Sequence, residues 1–374
     1  MTYLVTFLLT LFCLDSFSQT LDISKVDSIV QGLMTQNKIV GLSLGIVKGG
    51  KIIYTQGYGT GRIGEAVMID STTNFLTCSI TKLFTATAIM NLVEEGKIDI
   101  SKKLTDYVPD FEMKDSRYKE ITIEQILTHT SGIPNIANRH FISPTNDSIA
   151  LQEFAKKLSK KKLSYAPGVQ LSAKTYSNTG YDILGLVIEK VTQQTYSRYV
   201  TESVLKPANM QLSSFFIDSI SVGRRSSPHN QNWLTGKVRA SNYYPDIPQD
   251  KPCGNLNSCS YDLCKWMLYN LAIYKSEVNG VITSSTLKTM WTTQRKIPPY
   301  KTSIGLGWWI YDSEKYGKYV FHVGNDPGFS STLIISPEND FGIVILTNGE
   351  YPRQIVWNKI PFEIMNSLNY DWKK

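Results

Sequence analysis

Residues 75–96 read FLTCSITKLFTATAIMNLVEEG, in which a Ser-Ile-Thr-Lys tetrad opens a long apolar run. The run at 79–95 predicts a buried helix, which Gly96 is expected to end. Ser79 and Lys82 are one helical turn apart, so their side chains lie on the same face. The lysine can then activate the hydroxyl group as a nucleophile, beside the free N–H groups of the helix N-terminus.

The Ser-x-x-Lys tetrad occurs a second time at residues 159–162, so the spacing alone does not identify a site. The surroundings of this copy are polar, and we interpret it as accidental. Its three lysines are the densest basic run of the chain, and they fall in a stretch predicted to be helical, where they indicate a solvated face. With a formal net charge of +7 and no longer basic block, nucleic-acid binding is not expected.

Strand-like segments occupy both ends of the chain. Toward the N-terminus, the β-rich runs 41–47 and 51–56 are separated by Gly49 and Gly50, which predicts a hairpin. In the last third, short apolar runs alternate with turns rich in Gly, Pro, Asn and Asp. The strands predicted there are 306–311, 319–322, 331–335 and 342–346.

Helical periodicity precedes, separates and follows these strands. The predicted helices besides 79–95 are 21–38, 122–128, 147–160, 179–195 and 354–368. We therefore expect an α/β fold, with a mainly antiparallel sheet built from both chain ends and flanked by helices, and an inserted, mostly helical region at about 97–260. A cleft between the sheet and this region is the expected site.

The first 19 residues are interpreted as a signal peptide, with residues 20–374 as the working domain. The apolar run 3–14 is shorter than the about 20 residues that cross a bilayer, so no stable membrane insertion is expected. Neither Lys nor Arg precedes the run, which leaves a retained anchor as the other interpretation. A lipoprotein is disfavoured because bulky Phe12 precedes Cys13. The sequence thus predicts an exported protein, periplasmic or extracellular.

Four cysteines follow the signal peptide: Cys78, Cys253, Cys259 and Cys264. Export would permit disulfides, and Cys253 could pair with Cys259 across a short loop. Free buried thiols are the favoured interpretation. No histidine lies near the last three cysteines, so neither a metal site nor a cofactor is expected.

The second candidate motif is Tyr176-Ser177-Asn178, the only Tyr-x-Asn of the chain. A tyrosine near cationic groups can carry a proton between reacting atoms. The asparagine amide can both donate to and accept from a bound amide. Alternatively, Asn178 is the N-cap of the helix predicted from Thr179 onward, and both roles can hold together.

The third candidate is His322-Val323-Gly324, at the predicted end of one strand, with the next strand beginning near Ser331. A strand edge beside the nucleophile can supply a backbone N–H group to an oxyanion hole. Gly324 would let the backbone approach a substrate closely. A lone strand histidine is more often structural, so this motif gains weight only from the other two.

Together and in order, the three motifs resemble the serine β-lactamase and penicillin-binding-protein superfamily, whose signature includes S-x-x-K. Further phrases match its class C-like branch, and the similarity covers about residues 22–350. These phrases are GLSLGIV at 41–47, the stretch 75–82, ILTHTSGIP at 126–134, PG at 167–168, YSNTGY at 176–181 and GLGW at 305–308.

The resemblance implies roles for these residues. Ser79 would form an acyl-enzyme, while Lys82 tunes Ser79 and Tyr176, and Tyr176 exchanges the proton with Ser79 and the leaving group. Asn178 would hold the acyl-side amide of the substrate. The oxyanion hole would use the backbone N–H groups of Ser79 and Asn325, beside Gly324.

The sequence also departs from the family pattern. His322 stands where many relatives carry the Lys of K-T-G, and a mostly neutral imidazole removes a permanent cation that could grip a carboxylate. Lys301-Thr302-Ser303 lacks the glycine of K-T-G and is interpreted as coincidence. Cys78 is expected to pack as a small buried residue. The resemblance gives His129 no catalytic task, so we expect a structural one.

These observations predict a serine acyl hydrolase acting on a small molecule or D-peptide: a peptidoglycan stem peptide, an ester or a β-lactam. A D-Ala-D-Ala carboxypeptidase-like peptidase or a related esterase comes first, because an exported protein meets peptidoglycan. A class C-like β-lactamase is the alternative. A catalytically weak penicillin-binding or sensing module is the alternative outside the enzymes.

Overall fold

A computed structural model describes residues 22–136, 147–232 and 235–373. The predicted signal peptide lies outside these residues. Among the helices described, none is long and apolar enough to cross a membrane.

An eight-stranded sheet organises the chain, in the order β2-β1-β12-β11-β10-β9-β8-β7. Every neighbouring pair with a given register is antiparallel, and β1 joins the two chain ends by placing Leu44 opposite Ile345. The predicted antiparallel sheet built from both termini is therefore confirmed. Its strands are β1 Gly41–Lys48, β2 Lys51–Gly59, β7 Arg295–Lys296, β8 Thr302–Ile304, β9 Trp309–Ser313, β10 Gly317–Asp326, β11 Phe329–Ser336 and β12 Phe341–Thr347.

Short strand pairs and helices make up the rest of the described chain. The short strands are β3 Phe75–Leu76, β4 His229–Gln231, β5 Val238–Ala240 and β6 Asn257–Ser258. The helices are α1 Val26–Asn37, α2 Thr81–Glu94, α3 Leu104–Tyr107, α4 Ile123–Leu127, α5 Asp147–Leu158, α6 Asn178–Thr192, α7 Tyr196–Val200, α8 Ser260–Tyr274, α9 Ser284–Met290 and α10 Ile360–Ser367. A π-helical turn extends α7 over Thr201–Leu205, and another precedes α10 over Ile355–Lys359.

Both faces of the sheet are covered, which explains why β1 is apolar almost throughout. Leu42, Leu44 and Ile46 join the cluster formed with α1 and α10. Between them, Gly45 faces α8 so closely that a Cβ would lie 2.3 Å from the Cys264 sulfur atom. Alternate residues of β1 thus pack into two different cores, one on each face of the sheet.

Helix α2 lies inside the second core, with eleven of its fourteen residues buried. Leu83, Phe84 and Ile89 are fully buried, and burial of side chains of this size stabilises a fold by about 1.5–3 kcal/mol each. The helix therefore has no solvent-facing side near its start, and this is why Lys82 is buried too.

Several sequence predictions need correction at element ends. Helix α5 stops at Leu158, so Lys160, Lys161 and Lys162 follow the helix as exposed loop residues. Strand β10 continues to Asp326, because its last residues still pair with β11, so His322 lies inside the strand rather than at its end. The possible Cys253–Cys259 disulfide is wrong, because both thiols are free and buried.

Candidate active site

Ser79 lies in a 3-10 turn, Cys78–Ile80, which leads directly into α2. The Lys82 ammonium group donates hydrogen bonds to Ser79 Oγ at 3.1 Å and to the Cys253 carbonyl oxygen at 2.6 Å. Ser79 is partly exposed, whereas Lys82 is fully buried. The structure thus brings together the pair predicted from the tetrad, with the hydroxyl group facing solvent and the cation behind it.

The charge of Lys82 follows from its surroundings. Burial, the largest influence, pushes the pKa of Lys82 down, but Tyr176, Cys253 and Asp182 together outweigh burial and hold the pKa above its ordinary value. Lys82 is therefore an ammonium ion in the free protein. It can stabilise negative charge near Ser79, but it has no lone pair with which to take the serine proton.

A segment around Cys253 runs along the start of α2 and fixes it. Thr85 Oγ1 donates to the Pro252 carbonyl at 2.6 Å, and the Leu256 N–H group donates to Thr81 Oγ1 at 3.1 Å. Together with the bond from Lys82, three side chains of α2 hold this segment. Sequence analysis missed the segment, because a backbone carbonyl group carries no side-chain signal.

Tyr176 stands beside Lys82 in a group of aromatic rings. The Lys82 nitrogen lies 5.2 Å from the centre of the Tyr176 ring. The ring of His129 packs against Tyr176 with centroids 4.2 Å apart, and partly exposed Trp309 is stacked 6.3 Å from Tyr176. The structure therefore brings Tyr176 to the Ser79–Lys82 pair, and Trp309 is a neighbour that no motif had indicated.

His129 holds the Tyr176 loop in place. The Ser177 N–H group donates to His129 Nδ1 at 3.2 Å, so the neutral ring carries its proton on Nε2. Burial first, and then Lys82 and His322, lower the pKa of His129 well below its usual value. The histidine is thus neutral, and its contacts agree with the structural task expected from the sequence.

The Asn178 N-cap prediction is wrong. Helix α6 begins at Asn178 itself, and the cap is Ser177, whose Oγ accepts from the Gly180 N–H group at 3.0 Å. The exposed Asn178 donates its own N–H group to Asn135 Oδ1 at 2.6 Å, and Asn135 Nδ2 donates to the Tyr176 carbonyl at 2.8 Å. Asn135 therefore holds the motif through two hydrogen bonds, in addition to the bond from Ser177 to His129.

Strand β10 reaches the Cys78–Ile80 turn, which carries Ser79, at the point where its partner strand β9 stops. Pairing with β9 ends at Phe321 and Trp309, while β10 continues to Asp326. A Cβ on Gly324 would lie 2.6 Å from Cys78 Cβ and 2.8 Å from the Thr77 carbonyl oxygen. Only glycine permits this approach, so Gly324 allows close contact between β10 and the turn, whereas its predicted approach to a substrate stays a prediction.

The neighbouring Asn325 has its side chain engaged. Its Nδ2 donates to Glu350 Oε1 at 3.1 Å, and its Oδ1 accepts from Ser330 Oγ at 2.7 Å. These bonds occupy the side chain of Asn325, so the predicted contribution of Asn325 to an oxyanion hole would have to come from its backbone N–H group. Cys78 is buried with φ at +51°, a left-handed conformation that is strained for a residue other than glycine.

His322 is buried and neutral. Its Nδ1 lies 2.8 Å from the Val323 carbonyl oxygen, which can only accept, so the proton is on Nδ1. Burial first, and then Lys82, lower the pKa of His322 to about 3. Its Nε2 has no hydrogen-bond partner among the described residues and is available as an acceptor. By contrast, Lys301 is exposed and lies next to β8, two strands away from β10, which supports its interpretation as coincidence.

One group of described residues has the donor set of a metal site, namely Asp182, Asp250 and Cys253, with one ligand atom of each within 4.8 Å of the others. Burial first, and then Asp250, raise the pKa of Asp182 well above its usual value, and burial raises that of the Cys253 thiol. Since Lys82 already places a cation beside them, these groups are poorly suited to a metal ion.

An antiparallel sheet flanked by helices, with a Ser-x-x-Lys pair between the sheet and the helical region, is the arrangement of the serine β-lactamases and penicillin-binding proteins. The family model described as Beta-lactamase matches residues 26–359, and the chain belongs to this family.

Relatives and solved structures agree with this assignment. Protein flp of Staphylococcus aureus (strain MRSA252) is 31% identical over 92% of this chain and 67% of its own length, and penicillin-binding protein 4* of Bacillus subtilis (strain 168) is 27% identical over 81% and 67%. An octameric penicillin-binding protein homologue from Pyrococcus abyssi has a TM-score of 0.76 at 25% identity, covering 94% of this chain and 79% of its own. A class C beta-lactamase shares the fold, with a TM-score of 0.77 at 19% identity over 93% and 96%.

Proposed function

We propose that this protein is a serine hydrolase that forms an acyl-enzyme on Ser79 and transfers the acyl group to water. One observation carries the proposal: a fully buried ammonium group, Lys82, donates a hydrogen bond to the partly exposed hydroxyl group of Ser79. Placing a charged lysine in a core costs free energy, and the charge is useful where negative charge develops during a reaction.

Tyr176 is the group that accepts the serine proton in this proposal. Because Lys82 is an ammonium ion that already donates to Ser79, the serine proton needs another acceptor, and we assign this role to the Tyr176 side-chain oxygen beside the same cation. Ser79 Oγ then attacks the substrate carbonyl carbon, and the Tyr176 proton passes to the leaving group as the carbon–heteroatom bond breaks. Water then attacks the acyl carbon while Tyr176 takes its proton. The bond to Ser79 Oγ breaks, Tyr176 returns the proton to Ser79, and the acid is released.

The remaining site residues receive substrate-binding tasks. The backbone N–H groups of Ser79 and Asn325 would hold the oxyanion, because Gly324 brings β10 against the nucleophile turn. Asn178, exposed at the start of α6, would hold the acyl-side amide of the substrate. The substrate class is a D-peptide of the D-Ala-D-Ala type or a related ester.

His322 favours the ester among these substrates. Because the Nδ1–H group of His322 donates its hydrogen bond to the Val323 carbonyl oxygen, the other ring nitrogen has only a lone pair and cannot donate to a terminal carboxylate. A D-Ala-D-Ala peptide and a β-lactam both present such a carboxylate. The name of the relative penicillin-binding protein 4* supports a β-lactam-binding role as the second candidate.

Residues 1–19 would direct the protein out of the cytoplasm, so that residues 20–374 act in the periplasm or outside the cell. This proposal rests on the short apolar run at 3–14 and agrees with an ester or cell-wall peptide as substrate.

The test compares native protein, Ser79→Ala and His322→Lys on three substrates: a neutral p-nitrophenyl ester, a D-Ala-D-Ala peptide and benzylpenicillin. We expect ester hydrolysis and an adduct visible by intact mass only when Ser79 is present. His322→Lys should shift the ratio of peptide to ester rates by about tenfold toward the peptide, as expected for one charge-assisted hydrogen bond. Equal turnover by Ser79→Ala and native protein would overturn the proposal.

A further inference from the structure

Asp182 is an acid group that the proposed reaction does not use. It lies on α6, five positions after Ser177, with no exposed surface. The thiol and the backbone N–H group of Cys253 direct hydrogen bonds at its carboxyl group, although neither oxygen completes a bond of full geometry. A buried carboxyl group with partners as weak as these is costly, so its retention asks for an explanation.

The nearest groups to Asp182 belong to the segment that holds Lys82. Ligand atoms of Asp182, Asp250 and Cys253 all lie within 4.8 Å of one another. One turn further along α6, Gly185 lies so close to Pro252 that a Cβ there would come within 2.2 Å of the proline ring. Helix α6 therefore supports one side of this segment.

Helix α2 holds the opposite side of the same segment. The carbonyl oxygens of Pro252 and Cys253 accept hydrogen bonds from Thr85 and Lys82, each at 2.6 Å. The segment is thus clamped between two helices, with the catalytic lysine on one side and Asp182 on the other. A displacement of the segment would carry the Cys253 carbonyl group away from Lys82.

The charges around Asp182 fit this position. Burial first, and then repulsion from Asp250, raise the pKa of Asp182, whereas Cys253 and Lys82 act in the opposite direction. Asp182 in turn favours the ammonium form of Lys82. The two helices therefore place an acid and a base that influence each other through the Cys253 segment.

We propose that Asp182 is a positioning residue of this site, which holds the Cys253 segment from α6 and so keeps the Cys253 carbonyl group against the Lys82 ammonium group. The catalytic relevance of this task rests on the proposed function of Ser79. The position of Lys82 does not depend on that function, so the test measures the titration of Lys82 separately from the reaction of Ser79.

The experiment measures the titration of the Lys82 Nζ by NMR in full-length protein with isotopically labelled lysine, assigned with Lys82→Arg. Asp182→Asn keeps the size of the side chain and removes its charge. We expect the Lys82 midpoint to fall by up to about one pH unit, since Asp182 is the weakest of the groups that favour the ammonium form and an opposite charge in close contact shifts a pKa by about 1–3 units.

Asp262→Asn is the matched control. Asp262 is also fully buried, but on α8, where it pairs with Lys265 and accepts from the Leu212 N–H group at 2.7 Å. We expect this variant to lower the melting temperature and to leave the Lys82 midpoint unchanged. If Asp182→Asn does not fold, Asp182→Ser should give the same downward shift of the midpoint.

An unchanged Lys82 midpoint in the Asp182 variant overturns the inference, because that result is expected if the carboxyl group only fills space. Turnover of p-nitrophenyl acetate is followed on the same samples. If the midpoint falls while native protein does not form an acyl-enzyme, the proposed function of Ser79 fails and the positioning of Lys82 by Asp182 stands.

Discussion

The two Ser-x-x-Lys tetrads of this chain lie in opposite surroundings. In the copy at Ser79, the lysine is fully buried and its nitrogen lies 3.1 Å from the serine oxygen. In the copy at Ser159, the serine follows the end of α5 and donates to the Lys156 carbonyl at 2.8 Å, while Lys162 is exposed. The second serine is thus occupied with its own helix end.

The difference shows what a tetrad needs in order to become a site. Water screens an exposed lysine, whereas a buried ammonium group interacts strongly with a hydroxyl group a few ångströms away. The first copy has a fixed lysine, because α2, the Cys253 segment and Tyr176 surround it. The tetrad supplies the spacing, and the core around it supplies the chemistry.

The largest expected effect separates the two lysines. Lys82→Met, which keeps the apolar stem and removes the charge, should lower the rate of Ser79 acylation by about 10³-fold, because the nucleophile loses its activating group. Lys162→Met should leave the rate unchanged. Stopped-flow ester hydrolysis measures the rate for both variants. A native rate in folded Lys82→Met would show that the buried lysine contributes no more to acylation than the exposed one.

Tyr176→Phe tests the proton path beside the first copy. It should lower the acylation rate by about 10²-fold, as expected when a general base is lost, with little change in stability because the ring still packs against His129. Tyr165→Phe, at the tyrosine that follows the second copy, is the control and should keep the native rate. Equal rates for both variants would exclude Tyr176 as the proton carrier.

The buried surroundings of the first copy also predict an acid sensitivity. The pKa of His322 is lowered to about 3 by burial and then by Lys82, against about 6.5 in an unfolded chain. The corresponding stability is present above about pH 6.5 and is lost as the pH falls toward 3, by about 1.4 kcal/mol per pH unit. In urea unfolding between about pH 6 and pH 4, His322→Asn should show a correspondingly weaker pH dependence, and an equal slope would contradict the assignment.

The smallest effect distinguishes the two polar residues after Tyr176. Ser177→Ala should lower the free energy of unfolding by about 1 kcal/mol, because it removes the N-cap of α6. Asn178→Ala should retain the cap and instead weaken substrate binding, seen as a raised KM. If only Asn178→Ala lost stability, Asn178 rather than Ser177 would be the N-cap of α6.

The sequence distinguished the buried copy from the exposed one because periodicity is a local signal. The apolar run after Ser79 distinguished it from the polar surroundings of Ser159, and Gly49 and Gly50 marked the hairpin that the structure contains. Tyr176 and His322 were found by their motifs, and both lie close to Lys82.

Other parts of the site depend on contacts that periodicity does not encode. Cys253 follows Lys82 by 171 residues, and its contribution is a carbonyl group. The left-handed backbone of Cys78 would be expected of glycine from sequence alone. Ser177 and Asn178 are both good cap residues, so their order could not be decided, and Gly324 does not favour a strand until its pairing with β11 is known.

Strands β1 and β12 are neighbours in the sheet and stand roughly 300 residues apart in the chain. A ribosome adds about 5–20 residues per second, so β1 emerges about 15–60 seconds before its partner exists. Both faces of β1 are buried in the folded protein, and throughout this interval the helix α10, which packs on one of them, has not been made. During synthesis, β1 is therefore an apolar strand without its neighbour β12 for tens of seconds. A chaperone that binds apolar segments has this interval in which to act.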